Sequence, residues 1–339
     1  MIEKALKGSP TYWLWILLLL ALMGFGYSSY ATQYAHGLAV AGLGGSAIWG
    51  LKVMQFATMA TFAASSVLVV ALAYLQASKP ATSLLVTSQF IGVSAASTAL
   101  VSLVADCGKP ELLFELVRSA SLSSPYFLSI LSLKLYIITS LVSSWATLGA
   151  EAKGVPAASW VKSVALLSLP FGLLTPLFVA LMIADAVAIL QLLAASIAGG
   201  MSLLLLVVAL LKQRATFSVD ANAPKMVATL SLYGGVAHLL LTAVAWFRAS
   251  SDNSGMVAAA FVAALLAVVL FALSLKKGNT TMPALAMVIS VVLAVAGTGS
   301  FVTYAPSGVE LSIVAGVFSC GLLVATLLLK TATAIRREA

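Results

Sequence analysis

Long apolar runs separated by short polar breaks follow one another along almost the whole chain of 339 residues. A helix that crosses a bilayer needs about 20 mainly apolar residues, so each run is long enough for one transmembrane helix. The breaks contain proline, glycine, asparagine and serine, which end helices and form turns. The pattern predicts ten transmembrane helices, at residues 11–30, 49–77, 82–104, 125–149, 158–183, 186–211, 225–248, 256–275, 282–303 and 309–330. The first run is longer than the apolar core of about 7–15 residues in a cleaved signal peptide, so the first helix is predicted to be retained.

The composition also indicates a membrane environment. Apolar residues make up 62% of the chain and charged residues 8%, whereas an ordinary soluble domain carries about 25% charged residues. The predicted fold class is therefore an all-α integral membrane protein. The net charge of +8 does not indicate nucleic-acid binding, because the basic residues are scattered between the apolar runs and do not cluster on one face.

Cysteines and histidines are too few for the redox centres that proteins commonly hold. The two cysteines, Cys107 and Cys320, fall short of the roughly four ligands of a zinc site or an iron–sulfur cluster. With only two histidines the chain cannot be a dihaem cytochrome b, and a single haem would have to use His36 in an outer loop and His238 near mid-membrane. We therefore expect no haem, no iron–sulfur cluster and no metal site in this chain.

The basic residues predict the orientation of the helices. Cytoplasmic segments of membrane proteins carry an excess of lysine and arginine. With a cytoplasmic N-terminus and ten spans, both termini and the even-numbered loops are inside, and these segments hold 13 of the 18 basic residues. The 13 are Lys4, Lys7, Lys79, Lys153, Lys162, Lys212, Arg214, Lys225, Lys276, Lys277, Lys330, Arg336 and Arg337. We therefore expect a multi-pass protein with both termini in the cytoplasm.

Two outer loops hold most of the candidate chemistry. The loop at 31–48 has no charged residue and contains His36 and several glycines. The loop at 104–124 concentrates charged residues, beginning with Asp106. Its segment 111–118, ELLFELVR, is amphipathic and is predicted to lie along the membrane surface.

Lys52, Gln55 and Asp106 are candidates for binding a polar ring near the outer surface. Lys52 opens the second helix, and Gln55 shares its face because residues three apart lie on one side of a helix. Together they could hold a ring that bears carbonyl groups; the alternative is a snorkelling lysine and a helix–helix hydrogen bond. Asp106 ends the third helix and could accept protons from a reduced substrate or cap the short helix that follows.

Lys134 and Tyr136 lie about two and a half turns into the fourth helix. A charged residue at this depth is costly and is a candidate for a site or an ion pair. Asp106 is a candidate partner for Lys134, because the third and fourth helices are joined on the same side of the membrane.

Several segments in the first half of the chain are similar to those of the NrfD and polysulfide-reductase (PsrC-like) membrane subunits. The similarity covers roughly residues 20 to 150, and its segments are YAHGLAVAGL at 34–43, WGL at 49–51, ADCGKP at 105–110, Ser124-Pro125 and Tyr136. The sequence departs from the family pattern after Ser124-Pro125, where a tryptophan–aspartate pair is common and this chain has Phe127-Leu128. It also has Lys52 where the family more often has a neutral aromatic residue.

This resemblance implies two four-helix bundles, formed by helices two to five and six to nine, with the first and last helices outside them. It also implies a quinone or quinol site in the first bundle, with Asp106 as proton acceptor. His36, Lys52, Gln55, Tyr136 and Lys134 are then the candidates for contacting the ring. The partners implied are an iron–sulfur subunit on the outer face and a molybdopterin-type catalytic subunit. The expected location is a prokaryotic cell membrane, with lipid around the helices.

The expected organisation has four parts. The first helix and outer loop cover 1–48, the first bundle with the quinone site covers 49–183, the second bundle covers 184–303, and the last helix and tail cover 304–339.

Two alternatives stay open: a secondary transporter, for which Lys134 would mark the substrate path, and a membrane anchor with no working quinone site. Helices six to ten hold few ionisable residues, which predicts no wired proton relay through them.

Overall fold

A computed structural model describes residues 8–42, 50–109, 111, 124–183, 186–214, 219–249, 254–297 and 306–338. Regular structure in these ranges is helical throughout. The α-helices are α1 (Pro10–His36), α2 (Leu51–Ala63), α3 (Ser66–Leu75), α4 (Lys79–Asp106), α5 (Pro125–Glu151), α6 (Ser159–Ile183), α7 (Ala186–Arg214), α8 (Ala223–Arg248), α9 (Ser254–Lys277), α10 (Thr281–Ala296) and α11 (Gly308–Glu338). A short 3-10 helix, Leu38–Ala41, follows α1.

The predicted all-α membrane fold is confirmed. In the part of the chain that the structure describes, nine helical segments are long and apolar enough to cross a membrane, with α2 and α3 forming one segment, Leu51–Leu75. The helix α10 is apolar but has 16 residues. The end of the predicted helix at 282–303 lies outside the described residues.

The second span is interrupted, which the sequence pattern did not predict. The break falls at Ala64 and Ser65, where the Ser65 hydroxyl donates a hydrogen bond of 2.6 Å to the Phe62 carbonyl. Such side-chain bonds compete with the backbone ladder of a helix. The next residue, Ser66, is hydrogen-bonded to Tyr136 of α5, so the break is fixed by contact with a neighbouring helix.

The first span is longer than predicted. The predicted helix ended at residue 30, but α1 continues through His36 and ends at Gly37, whose φ of 84° is in the region that favours glycine. Residues 31–36, which we had assigned to the outer loop, therefore form the last turns of a helix. This places Gln33 inside α1, with its side chain directed into the protein.

The helices form the two predicted bundles. The segment α2–α3 packs with α4, α5 and α6 in the first bundle, and α7 to α10 pack in a ring in the second. The two bundles meet where α2 and α6 contact α7. The first and last helices, α1 and α11, pack against each other, and α11 also packs along α4 of the first bundle.

Glycines bring α1 and α11 into close contact. A Cβ atom on Gly26 would lie 2.7 Å from the Cα atom of Gly316, so only glycine permits this crossing. Small residues serve the same purpose at helix–helix contacts in membranes generally. The close crossing fixes α11 beside α1 and α4, and so fixes the position of the residues at the start of α11.

Candidate functional site

Four polar side chains meet at one end of the protein, where four different helices begin or end. They are Gln33 from α1, Lys52 from α2, Asp106 from α4 and Glu310 from α11; we call them the polar cluster. Lys52 is 0% exposed. Its Nζ donates a hydrogen bond of 2.7 Å to Gln33 Oε1 and lies 3.8 Å from Asp106 Oδ1.

The contact between Lys52 and Asp106 is an ion pair without a direct hydrogen bond, because 3.8 Å exceeds the usual range for a donor and an acceptor. The Asp106 side chain is 22% exposed. Its carboxylate is therefore held near the lysine by charge and is still accessible at the edge of the cluster. A hydroxyl of a bound molecule could donate a hydrogen bond to the carboxylate and accept one from the lysine.

Gln33 connects α1 to two other helices. Its amide oxygen accepts the hydrogen bond from Lys52, and its Nε2 donates a bond of 2.9 Å to the carbonyl of Ala105. Carbonyls in the last turn of a helix have no partner within the helix. Gln33 therefore satisfies the end of α4 and orients the lysine at the same time.

Glu310 stabilises the beginning of α2. The residue before that helix, Gly50, has no side chain to cap it, and the backbone N–H of Lys52 donates instead to Glu310 Oε1 at 3.3 Å. The other oxygen, Oε2, is buried and has no hydrogen-bond partner among the described residues. An unpaired buried polar atom costs about 1–3 kcal/mol, so this oxygen needs an explanation.

Helix dipoles disfavour two of the three charges of this cluster and favour the third, Glu310, which lies in the first turn of α11. The N-terminal end of a helix disfavours a cation and the C-terminal end disfavours an anion, by about 0.3–1 kcal/mol each. Lys52 lies in the first turn of α2 and Asp106 is the last residue of α4. Both charges are thus at the unfavourable ends of their helices, an arrangement that stability alone does not select.

The turn after α4 is fixed by contacts with α1 and α5. The Tyr30 hydroxyl donates to the Gly108 carbonyl at 3.0 Å, and Cys107 Sγ lies 3.0 Å from the Tyr126 hydroxyl oxygen. Gly108 has a φ of 71°, and a Cβ there would lie 3.1 Å from Leu38. Burial raises the pKa of the Cys107 thiol, so the thiol is neutral at pH 7.

An apolar groove lies directly beside the polar cluster. It has a volume of about 270 Å³ and runs between α1, α4 and α11, with a lining that includes Met23, Tyr30, Ala105, Ile313, Val317 and Cys320. Ala105 precedes Asp106 in α4, and Ile313 is one turn after Glu310 in α11. None of the four cluster residues lines the groove, but these two lining residues are neighbours of cluster residues, so the charged groups lie close to one end of an apolar groove.

Gln55 lies one turn further into the membrane than Lys52. Its Nε2 donates to the Val314 carbonyl of α11 at 3.0 Å, and its Oε1 accepts a bond of 3.0 Å from Ser102 of α4. This is the helix–helix hydrogen bond that the sequence left open as an alternative. The Gln55 amide has partners on both sides.

Two of the other predicted site residues, His36 and Tyr136, have their hydrogen-bond contacts outside the cluster. His36 is exposed at the end of α1, with Nδ1 3.0 Å from the Thr32 carbonyl oxygen. Tyr136 is fully buried in the first bundle, where it contacts Ser66. Since Ser66 is 14 residues beyond Lys52, a rise of 1.5 Å per residue places this contact about 20 Å from the cluster.

The suggested pairing of Lys134 with Asp106 is wrong. Lys134 is exposed on α5, and the ion-pair partner of Asp106 is Lys52. The sequence argument rested on the connection between the third and fourth helices. It missed that the first turn of α2 lies closer to the end of α4, because α2 and α4 pack directly against each other.

The sequence analysis also missed Gln33 and Glu310. Gln33 was placed in a loop because the first helix was ended too early. Glu310 could have been found as the one acidic residue in the apolar run at 309–330, since ionisable residues in a span indicate a site by default. Trp49 and the amphipathic stretch at 112–118 lie outside the described residues.

The fold and the cluster define a class: a multi-pass α-helical membrane protein with a buried lysine at one end of the spans, whose ammonium group pairs with one acidic side chain and whose backbone N–H is accepted by another. No protein-family model matches the chain, and no curated protein matches it either.

Proposed function

We propose that this chain is the quinone- or quinol-binding subunit of a multi-subunit respiratory oxidoreductase of a prokaryotic cell membrane, related to the NrfD and PsrC-like subunits. The observation that carries the proposal is the ion pair of Lys52 and Asp106 next to an apolar groove. A quinone has the matching chemistry, because its ring carries two polar oxygens and its isoprenoid chain is apolar.

The short segments that prompted the resemblance also support the proposal. The glycine-rich segment after α1 and the turn after α4 come into contact, since Leu38 lies against Gly108. Asp106, the residue that the resemblance implies as proton acceptor, lies beside that contact. Residues separated by about 70 positions in sequence thus share one place in the fold.

In this proposal Asp106 accepts a proton from a quinol hydroxyl, and Lys52 and Gln33 orient the ring oxygens. Oxidation of one quinol releases two protons and two electrons. The electrons pass to an iron–sulfur subunit on the outer face, which exchanges them with a molybdopterin-type catalytic subunit. The orientation follows from the distribution of basic residues, which puts both termini in the cytoplasm and the polar cluster on the outer side.

The first test is quinol oxidation by the complex purified with its partner subunits. Asp106→Asn keeps the size of the side chain but removes the proton acceptor, and loss of general base catalysis is expected to lower kcat by about 100-fold. Unchanged turnover in Asp106→Asn would remove this residue from the mechanism. A chain that purifies without any iron–sulfur protein and does not oxidise quinol would favour a transporter or a bare anchor.

The second test addresses the groove. Cys320→Phe puts a larger side chain into the groove lining, and it is expected to raise KM for a long-chain menaquinol at least 10-fold while leaving a quinol without an isoprenoid chain unaffected. Val142→Phe is the matched control, because Val142 is exposed on the outer surface of α5. A KM for menaquinol that is the same in Cys320→Phe as in the wild type would show that the isoprenoid chain does not occupy the groove.

A further inference from the structure

Among the described residues of the polar cluster, Glu310 is the one with a buried oxygen that has no hydrogen-bond partner. It is 0% exposed, and its two oxygens have different surroundings. Oε1 accepts the backbone N–H of Lys52, while Oε2 has no partner among the described residues. The backbone N–H of Leu51 also stabilises the carboxylate, but capping by these two N–H groups leaves Oε2 without a hydrogen bond to any described residue.

Glu310 lies next to the groove in α11, although it is not one of the lining residues. The residue begins the face of α11 that continues, one turn later, into the groove lining at Ile313. Its carboxylate accepts the backbone N–H of Lys52, whose Nζ lies 3.8 Å from Asp106 Oδ1. Both acidic side chains therefore contact the same lysine, one at its backbone and the other at its ammonium group.

We propose that Glu310 is a second acidic contact of the ligand, whose Oε2 binds a ring oxygen of the quinol; this rests on the function proposed above. When a quinol is oxidised, one hydroxyl gives its proton to Asp106 and the other gives its proton to Glu310 Oε2. The two electrons leave, one at a time, to the iron–sulfur cluster of the partner subunit. In the reverse direction the two carboxyl groups return the protons to the quinone oxygens.

Glu310→Gln separates this role from capping. The amide keeps an oxygen that can accept the N–H of Lys52, but it cannot take up a proton. We expect the purified complex with Glu310→Gln to remain folded, with a thermal midpoint close to that of the wild type. Its kcat for menaquinol oxidation is expected to fall about 100-fold, the usual scale for loss of one acid–base group.

Glu111→Gln is the matched control, because Glu111 is an exposed acidic residue after α4 on the same side of the membrane. It should oxidise menaquinol at the wild-type rate. A folded Glu310→Gln complex with wild-type kcat would overturn the inference and leave the proposed function intact. A wild-type complex that does not oxidise quinol at all would instead overturn the proposed function.

A spectroscopic measurement covers the case in which Glu310→Gln does not fold. Infrared difference spectra of the wild-type complex, oxidised minus reduced with menaquinol, should contain a carboxyl C=O band. This band should shift in Glu310→Asp, which keeps the acid but moves it back by one methylene group. A carboxyl band that is the same in wild type and Glu310→Asp would contradict the proposal.

Discussion

Removing the charge of Lys52 tests whether charge holds the cluster together. In a double-mutant cycle, Lys52→Met and Asp106→Asn are made singly and together. At an effective dielectric constant of 20, two unit charges 3.8 Å apart attract each other by about 4 kcal/mol. Because the Asp106 side chain is 22% exposed, solvent screens part of this attraction. We therefore expect a coupling free energy of about 2 kcal/mol.

Each single variant is expected to lose about 3 kcal/mol of unfolding free energy, because it leaves an unpaired charge at a buried place. The double variant should lose less than the sum of the two. The assay is unfolding of the purified chain in mixed micelles, followed by circular dichroism as the fraction of denaturing detergent rises. Additive losses within about 0.5 kcal/mol, the usual range for independent sites, would refute the claim that the two charges interact.

Three further predictions concern packing, an ion pair and a thiol. Gly92→Ala should destabilise the protein by about 1–3 kcal/mol, because the new Cβ would collide with the buried hydroxyl of Tyr136. Gly24→Ala is the control: a Cβ there meets open space, so the unfolding free energy should not change in the same assay. Arg336→Ala should lower the free energy of unfolding by about 1 kcal/mol, since its two hydrogen bonds of 2.9 and 3.0 Å to Glu151 are partly exposed. An unfolding midpoint equal to that of the wild type would refute this. Alkylation of Cys107 by maleimide in a Cys320→Ser background should be slow at pH 7 and accelerate only above the ordinary thiol pKa, because burial raises its pKa and only the thiolate reacts.

The membrane fold could be predicted from the sequence, because the thickness of the bilayer requires every spanning helix to contain about 20 mainly apolar residues. In the described residues nine of the ten predicted runs form helices long enough to span a membrane and the remaining run contains the shorter helix α10, and the bundle arrangement implied by the family resemblance agrees with the packing. Boundaries were less accurate. The extension of α1 to His36 follows from tertiary contacts of Gln33, which a count of apolar residues does not include.

The polar cluster could be predicted only in part, for a physical reason. Lys52 and Asp106 stood out because charges are rare in apolar helices, but which charges meet depends on how the helices are arranged. Glu310 is 258 residues from its hydrogen-bond partner Lys52, and nothing in local sequence indicates that contact. Tyr136 was singled out by resemblance alone, and its place beside Ser66 depends on the break between α2 and α3.

The last helix, α11, is attached to the first bundle at both ends, so it is part of the candidate site although it lies outside the bundle. At one end Glu310 caps α2; at the other, Arg336 binds Glu151 of α5 and the Ser83 carbonyl of α4. These anchors are 26 residues apart, which is about 40 Å along a helix. The family resemblance implied that α11 lies outside the bundles, and it does, yet it supplies a buried carboxylate to the cluster and one wall of the groove. The groove lies between the first bundle and the α1–α11 pair, so in the function proposed above a quinol would reach the cluster by passing along α11.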